Sequence, residues 1–218
     1  MAAVNSGYRL RDPSEPLIIG CDPASDGEDP TAQRDRTAIV FRQGRVVFRC
    51  EAHKDRNEME VAGMLARYWE EMQPDAIIID KGGIGAGIVS RLHELNVPAI
   101  GVLFGEGPQH EEDPERPLHL NRRAEMWWAM KAWLEDQPCR LTPAVGDGAA
   151  LVADLSAPQI KERSDRKRQL ESKADMAKRG IRSPDLADAL ALTFAERVQK
   201  RDEFADIGSS GPATRAGY

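Results

Sequence analysis

The sequence predicts an α/β protein in which a mixed sheet, antiparallel hairpin strands beside parallel ones, is flanked by helices. Three observations carry that expectation. Leu17 to Cys21 and Ala76 to Ile79 are short apolar runs that read as strands buried on both faces, and an aspartate ends each. Thr37 to Phe41 and Arg45 to Cys50 are strands joined at Gln43-Gly44, an antiparallel hairpin. Strand–helix–strand units then follow, and the chain closes on helices.

The length of 218 residues suffices for one well-cored domain with tails. We expect a polar leader or linker over 1–16, the domain over 17–201 and a disordered tail over 202–218. With 41% hydrophobic and 30% charged residues the chain reads as soluble and globular. No apolar run reaches transmembrane length, and residues 1–16 lack the apolar core of a signal peptide. The three cysteines form no CxxC, which points to a reducing compartment, and the four histidines are too scattered for a zinc site.

Taken in order, Asp22 terminates the first strand, and the Asp-, Gly- and Pro-rich stretch 23–35 is a loop. After the hairpin, Asn57 and Glu60 have capping-box spacing, and Val61, Met64, Leu65, Tyr68, Trp69 and Met72 recur at helical intervals up to Pro74. The strand 76–79 ends at Asp80. Gly82-Gly83-Ile84-Gly85-Ala86-Gly87 then leads into a helix through Ile88, Leu92 and Leu95, and Ala99 to Phe104 returns as a strand. That turn matches neither GxxxxGK[ST] nor GxGxxG, so it is read as close packing or as backbone approach to a phosphate. Asn121 caps a helix with Trp127, Met130 and Leu134 on its apolar face, and a shorter helix covers 147–155. Residues 159–171 read as two strands around Ser164-Asp165, and a short helix ends near Gly180. Ser183 as N-cap and Pro184 at the first helical position open a last helix reaching about Lys200, with Leu190, Phe194 and Val198 on its buried face.

The formal net charge of −6 argues against a protein that coats nucleic acid, yet the charge is uneven. Between Lys161 and Arg182 nine basic residues face four acids. This is either a solvated face or a phosphate-binding patch, with Arg163, Arg166, Lys167 and Arg168 as its DNA-contacting residues.

The acids carry the chemistry. If the strands ending at Asp22 and Asp80 are parallel neighbours, both carboxylates emerge at one sheet edge, where open α/β sheets place their sites. Asp185 and Asp188, three apart, project from one side of the last helix; they either complement its dipole or join the other two. Gathered carboxylates repel one another unless a cation neutralises them, and all-oxygen ligands suit Mg²⁺ or Mn²⁺. Two ions roughly 3.5–4 Å apart would clamp the attacking and leaving oxygens of a phosphodiester displacement. The expected arrangement has Asp22 bridging both ions, Asp80 and Asp185 holding one each, and Asp188 as auxiliary ligand or support. Lys81 and Lys173 are the candidates for holding the scissile phosphate.

Five stretches follow one another over residues 17–200: Ile18-Ile19-Gly20-Cys21-Asp22-Pro23-Ala24, Asp35-Arg36-Thr37-Ala38-Ile39-Val40, Ile77-Ile78-Ile79-Asp80 with its glycines, Leu170-Glu171-Ser172-Lys173-Ala174-Asp175, and Gly180-Ile181-Arg182-Ser183-Pro184-Asp185-Leu186-Ala187-Asp188-Ala189-Leu190. In that order they resemble the C-terminal nuclease domain of the large terminase subunit of tailed bacteriophages. The resemblance implies a ribonuclease H-like fold and a metal-dependent endonuclease that cuts concatemeric viral DNA during genome packaging. It makes Asp22, Asp80 and Asp185 the catalytic metal ligands, keeps Asp188 close by, and gives the 159–171 hairpin a part in guiding duplex DNA. Its implied partners are double-stranded DNA, the ATPase motor domain of the same subunit, the small terminase subunit and the portal of the procapsid, in the cytoplasm of the infected host. No Walker motif occurs, so an isolated domain that does not itself translocate DNA is expected. Asp26, Glu28, Asp29 and Asp35 make the 23–35 loop unusually acidic, and it is a second source of ligands. The alternatives are another ribonuclease H-like nuclease (a junction resolvase or an integrase core) and a non-catalytic DNA-docking module. An actin-like kinase would need a second ATP-clasping domain, for which there is no room.

Overall fold

A computed structural model describes residues 11–24, 36–111, 117–136, 138–141, 146–161 and 163–201. The loop acids Asp26, Glu28, Asp29 and Asp35, most of the expected leader and the expected tail over 202–218 lie outside the described residues.

The first strand, β1 (Leu17–Asp22), continues one residue further than expected and includes its terminal aspartate. β2 (Thr37–Gln43) and β3 (Val46–His53) form the hairpin. α1 (Glu58–Met72) opens on the expected capping box, with Asn57 and Glu60 bonding reciprocally, and ends ahead of Pro74. β4 (Ala76–Asp80), α2 (Gly85–Glu94) and β5 (Ala99–Val102) make the strand–helix–strand unit. β5 stops at Val102 rather than Phe104 because the chain turns there: Glu106 donates its amide to the Leu103 carbonyl, and the Phe104 carbonyl accepts from Arg123.

Among the described residues six strands form one sheet in the order β5-β4-β1-β2-β3-β6. Here β6 (Arg140–Leu141) pairs parallel with Val46–Val47; two residues are too few to leave a pattern in the sequence. β1 is antiparallel to β2 and parallel to β4, with Cys21 opposite Ile79, so the chain's two strand-ending aspartates leave neighbouring strands at the same edge.

Strand side chains alternate between two cores. Ile19, Cys21, Ile39, Phe41, Ile77 and Ile79 pack against α1 and α2 on one face. Ile18, Ala38, Val40, Ala76 and Ile78 point to the other, where they meet α3 (Arg122–Asp136), α4 (Gly148–Ser156) and α6 (Asp185–Leu192). The same alternation directs Asp22 and Asp80 to the α6 face. Gly20, two residues before Asp22, lets α6 approach: a Cβ there would stand 1.9 Å from the Ala189 carbonyl oxygen.

The last helix departs from expectation at both ends. Every residue of α6 is buried, so it is an interior helix rather than a surface one with a single apolar face. It ends at Leu192 in a tightened turn, the amides of Thr193, Phe194 and Ala195 donating to the Leu190, Ala191 and Leu192 carbonyls, and side chains hold the segment just beyond it. Arg42 bonds the Thr193 hydroxyl (2.8 Å) and carbonyl (2.7 Å), and buried Arg122 bonds the Ala195 carbonyl. Phe194 and Val198, beyond the helix, are only partly buried. At its start Pro184 is the capping residue, and Ser183 does not cap: its hydroxyl makes no hydrogen bond among the described residues.

The basic segment is a hairpin, but a minimal one. β7 (Ile160–Lys161) and β8 (Gln169–Leu170) share two residue pairs, and the basic residues ride mainly on the turn between them. α5 (Lys173–Lys178), capped by Ser172, follows directly.

Candidate functional site

Asp22, Asp80, Asp185 and Asp188 meet at the edge of the sheet where β1 and β4 end and α6 begins. Asp22 is 2% exposed. Burial pushes its carboxyl well above the usual range, the Lys173 ammonium opposes this, and Asp188, Asp80 and Asp185 each raise it further. Burial also raises Asp80, against a hydrogen bond of 3.0 Å from the Gly82 amide to its Oδ1 and the pull of Lys173; Asp188 adds to the rise. The glycine-rich turn lets α2 start hard against β4, since a Cβ on Gly85 would stand 1.8 Å from the Asp80 carbonyl oxygen.

A side-chain cation has been drawn into this group. Lys173 Nζ lies 3.2 Å from Asp22 Oδ2 and 3.7 Å from Asp188 Oδ2. Burial works against its charge, but Asp22, Asp188 and Asp185 hold it above its ordinary value.

Asp188 is fully buried and committed to the protein. Arg123 donates to both its oxygens (2.9 and 3.1 Å), and Trp127 Nε1 donates to Oδ1 (2.7 Å). The third arm of Arg123 bonds the Glu171 carbonyl at 3.0 Å, and the Glu171 carboxylate is gripped by Arg179. Asp185 accepts the Arg36 amide at Oδ2 (3.3 Å), with the Arg36 guanidinium 3.8 Å from the same oxygen.

The three acids expected at one place are therefore together, but they are not closed into a cage. Among the described residues no group of three or more His, Cys, Asp or Glu side chains has metal-binding spacing. Their donors are oxygens only, the ligand type that hard divalent cations take, and the Lys173 ammonium offsets part of their mutual repulsion.

The basic candidates are distributed around this centre. Lys173 belongs to it. Lys81 follows Asp80 and pairs with Glu106 at 3.7 Å. Arg166 and Arg168 are exposed on the hairpin turn and Lys167 is half-buried; Arg168 lies over the Trp128 ring, 5.8 Å from its centroid. Arg163 is paired with Asp165 through two bonds of 2.9 Å, which hold the Asp165 carboxyl down at about 2.

Sequence reasoning missed Arg123, Trp127 as a donor, Glu171 and Arg36. One signal was available. Arg123, Trp127, Met130 and Leu134 share helical spacing, so an arginine stood on a face otherwise read as core. Such an arginine needs a buried acid, and Asp188 is it.

No family model matches the sequence, and no curated protein matches it. Solved structures do share its fold. The nuclease domain of the large terminase subunit gp2 of bacterial virus Sf6 aligns with a TM-score of 0.67 at 24% identity, covering 88% of this chain and 94% of that one. A mutant of that domain with manganese aligns at 0.65 and 22%, over the same 88% and 94%. The large terminase nuclease from thermophilic phage G20c with bound magnesium aligns at 0.53 and 12%, over 85% of this chain and 84% of that one. With its mixed sheet and flanking helices, this chain has the ribonuclease H-like fold of large-terminase nuclease domains.

Proposed function

We propose that the chain is the metal-dependent nuclease domain of a phage large terminase subunit, an endodeoxyribonuclease that hydrolyses phosphodiester bonds of concatemeric viral DNA during packaging. The observation that carries this reading is the meeting of Asp22, Asp80 and Asp185 from three distant stretches, with the Lys173 ammonium among them. Those three acids would hold Mg²⁺ or Mn²⁺, the ions with which the Sf6 and G20c domains were solved. When bound, two such ions activate a water and stabilise the departing 3′ oxygen.

The chain's own residues supply the rest. Asp188, held by Arg123 and Trp127, is a support rather than a ligand and anchors Lys173 beside Asp22. Lys173, about a third exposed, is the residue suited to hold the scissile phosphate. Lys81, Arg163, Arg166, Lys167 and Arg168 are read as backbone contacts, which position duplex DNA without reading its bases. The ATPase motor domain, the small subunit and the portal are the partners this function calls for.

Plasmid cleavage tests the reading. The protein is expected to nick and linearise plasmid with Mg²⁺ or Mn²⁺ and to stop in chelator. Asp80→Ala is expected to abolish cleavage with the circular dichroism spectrum unchanged, because it removes a ligand and relieves repulsion. Cleavage near the wild-type rate by that variant would remove Asp80 from the site. A wild-type protein that neither binds Mn²⁺ nor cuts would leave a DNA-docking module.

A further inference from the structure

The helix that carries Asp185 and Asp188 is capped from another part of the fold. Its own sequence supplies no cap: Pro184 stands at the capping position and the Ser183 hydroxyl is unbonded among the described residues. Asp154, on α4, does the work instead. It is 4% exposed. Its Oδ2 accepts the Leu186 amide at 3.1 Å and its Oδ1 accepts from Arg182 Nη2 at 3.2 Å. One carboxylate thus grips the chain on both sides of Ser183-Pro184-Asp185. Arg36, whose guanidinium lies 3.8 Å from Asp185 Oδ2, also bears electrostatically on Asp154, so one cation acts on both acids.

We propose that Asp154 is a positioning residue of the candidate site: by capping α6 across the fold it sets where Asp185 enters the acidic group. The inference rests on the nuclease reading and adds to it a residue that touches neither substrate nor metal. Leu186 is the next residue after Asp185, so the backbone that bears the ligand is tied directly to Asp154. Among the described residues Asp154's hydrogen bonds run to Arg182 and Leu186, on either side of Asp185, and not to the strands of Asp22 and Asp80, so its loss acts first on one ligand of the three.

Mn²⁺ binding, followed by the electron paramagnetic resonance signal of the free ion, tests this separately from cleavage. Asp154→Ala is expected to weaken Mn²⁺ binding by about tenfold or more, the size of effect seen when groups that orient a ligand are removed. Asp154→Asn keeps an oxygen for the Leu186 amide and is expected to bind close to the wild-type value. Leu65→Ala, in the opposite core, is expected to lower the melting temperature without moving Mn²⁺ affinity. Arg182→Ala, at a partly exposed position, loosens Asp154 without endangering the fold and is expected to weaken binding in the same direction. Wild-type Mn²⁺ affinity in both the Asp154→Ala and Arg182→Ala proteins would overturn the positioning role, as would equal weakening in Leu65→Ala. A wild-type protein that binds no Mn²⁺ and cuts no plasmid overturns the nuclease reading itself, and this inference with it.

Discussion

Asp188 illustrates what a buried charge demands of its neighbours. A carboxylate with no exposure is tolerable only when its oxygens are bonded and its charge is matched. Arg123 matches it in bidentate fashion, Trp127 adds an N–H, and Lys173 adds a second positive charge. Removing one partner of such a pair costs far more than the pair contributes, because the other is left stranded. Arg123→Met is therefore expected to lower unfolding free energy by about 3–5 kcal/mol in urea titrations. Replacing Asp188 by Leu in the same protein should restore part of that loss. A loss under about 1 kcal/mol, the scale of a surface pair, would show that Arg123 is not holding a buried charge.

At the scale of elements, β3 and α1 are joined by a polar cluster on the face away from α6. Glu51 accepts from Tyr68 Oη (2.8 Å) and Arg49 Nε (2.6 Å), with His53 Nε2 at 3.1 Å. Burial would raise the Glu51 carboxyl, but the bonds from Tyr68, His53 and Arg49 prevail and hold it below its ordinary value. Burial and the adjacent Glu51 push the Tyr68 hydroxyl up to about 12. A carboxyl whose folded value is depressed binds fewer protons in the folded than in the unfolded chain through that window, so its contribution is present at neutral pH. It is lost as pH falls from the ordinary glutamate value of about 4.3 through the lower folded value. Glu51→Gln is thus expected to be less stable than wild type at pH 7, with the gap closing as pH falls below about 4. Urea titrations at pH 7, 5, 4 and 3 check this. A gap that does not change with pH would assign the effect to shape rather than charge.

For the whole molecule, the proposed function requires a chain of net charge −6 to engage a polyanion. Much of the basic excess near the site is already answered: Arg163 by Asp165, Arg179 by Glu171, Arg182 by Asp154, Lys173 by Asp22. Arg166 and Lys167, on the turn of the short hairpin, are the pair to change. Reversing both is expected to weaken DNA binding across sequences and to reduce the slope of log K against log salt by about two. An unchanged slope would make the turn a solvated surface. The hairpin runs through Glu171 directly to Ser172 and Lys173, so the chain that carries the basic turn also carries the ammonium beside Asp22.

The strands, the hairpin and the α1 capping box were legible because local spacing determines them: apolar runs must be buried on both faces, and Asn57 and Glu60 can reach each other in the first turn. That Asp22 and Asp80 would share an edge was legible only as a condition, and the parallel pairing of β1 with β4 met it. The burial of α6 on all sides, its cap from Asp154 and the hold on the segment just beyond Leu192 were not legible. Each depends on side chains 28 to 151 residues away in the chain: Asp154 reaching Arg182, Arg42 reaching Thr193. The sequence by itself determined which residues could be acids at strand ends; only the tertiary structure decided that Asp188 is enclosed by Arg123 and Trp127 while Asp22 faces Lys173. The physical reason is that periodicity reports which side of an element is buried, whereas the partner that makes a buried charge tolerable is chosen by contacts between elements.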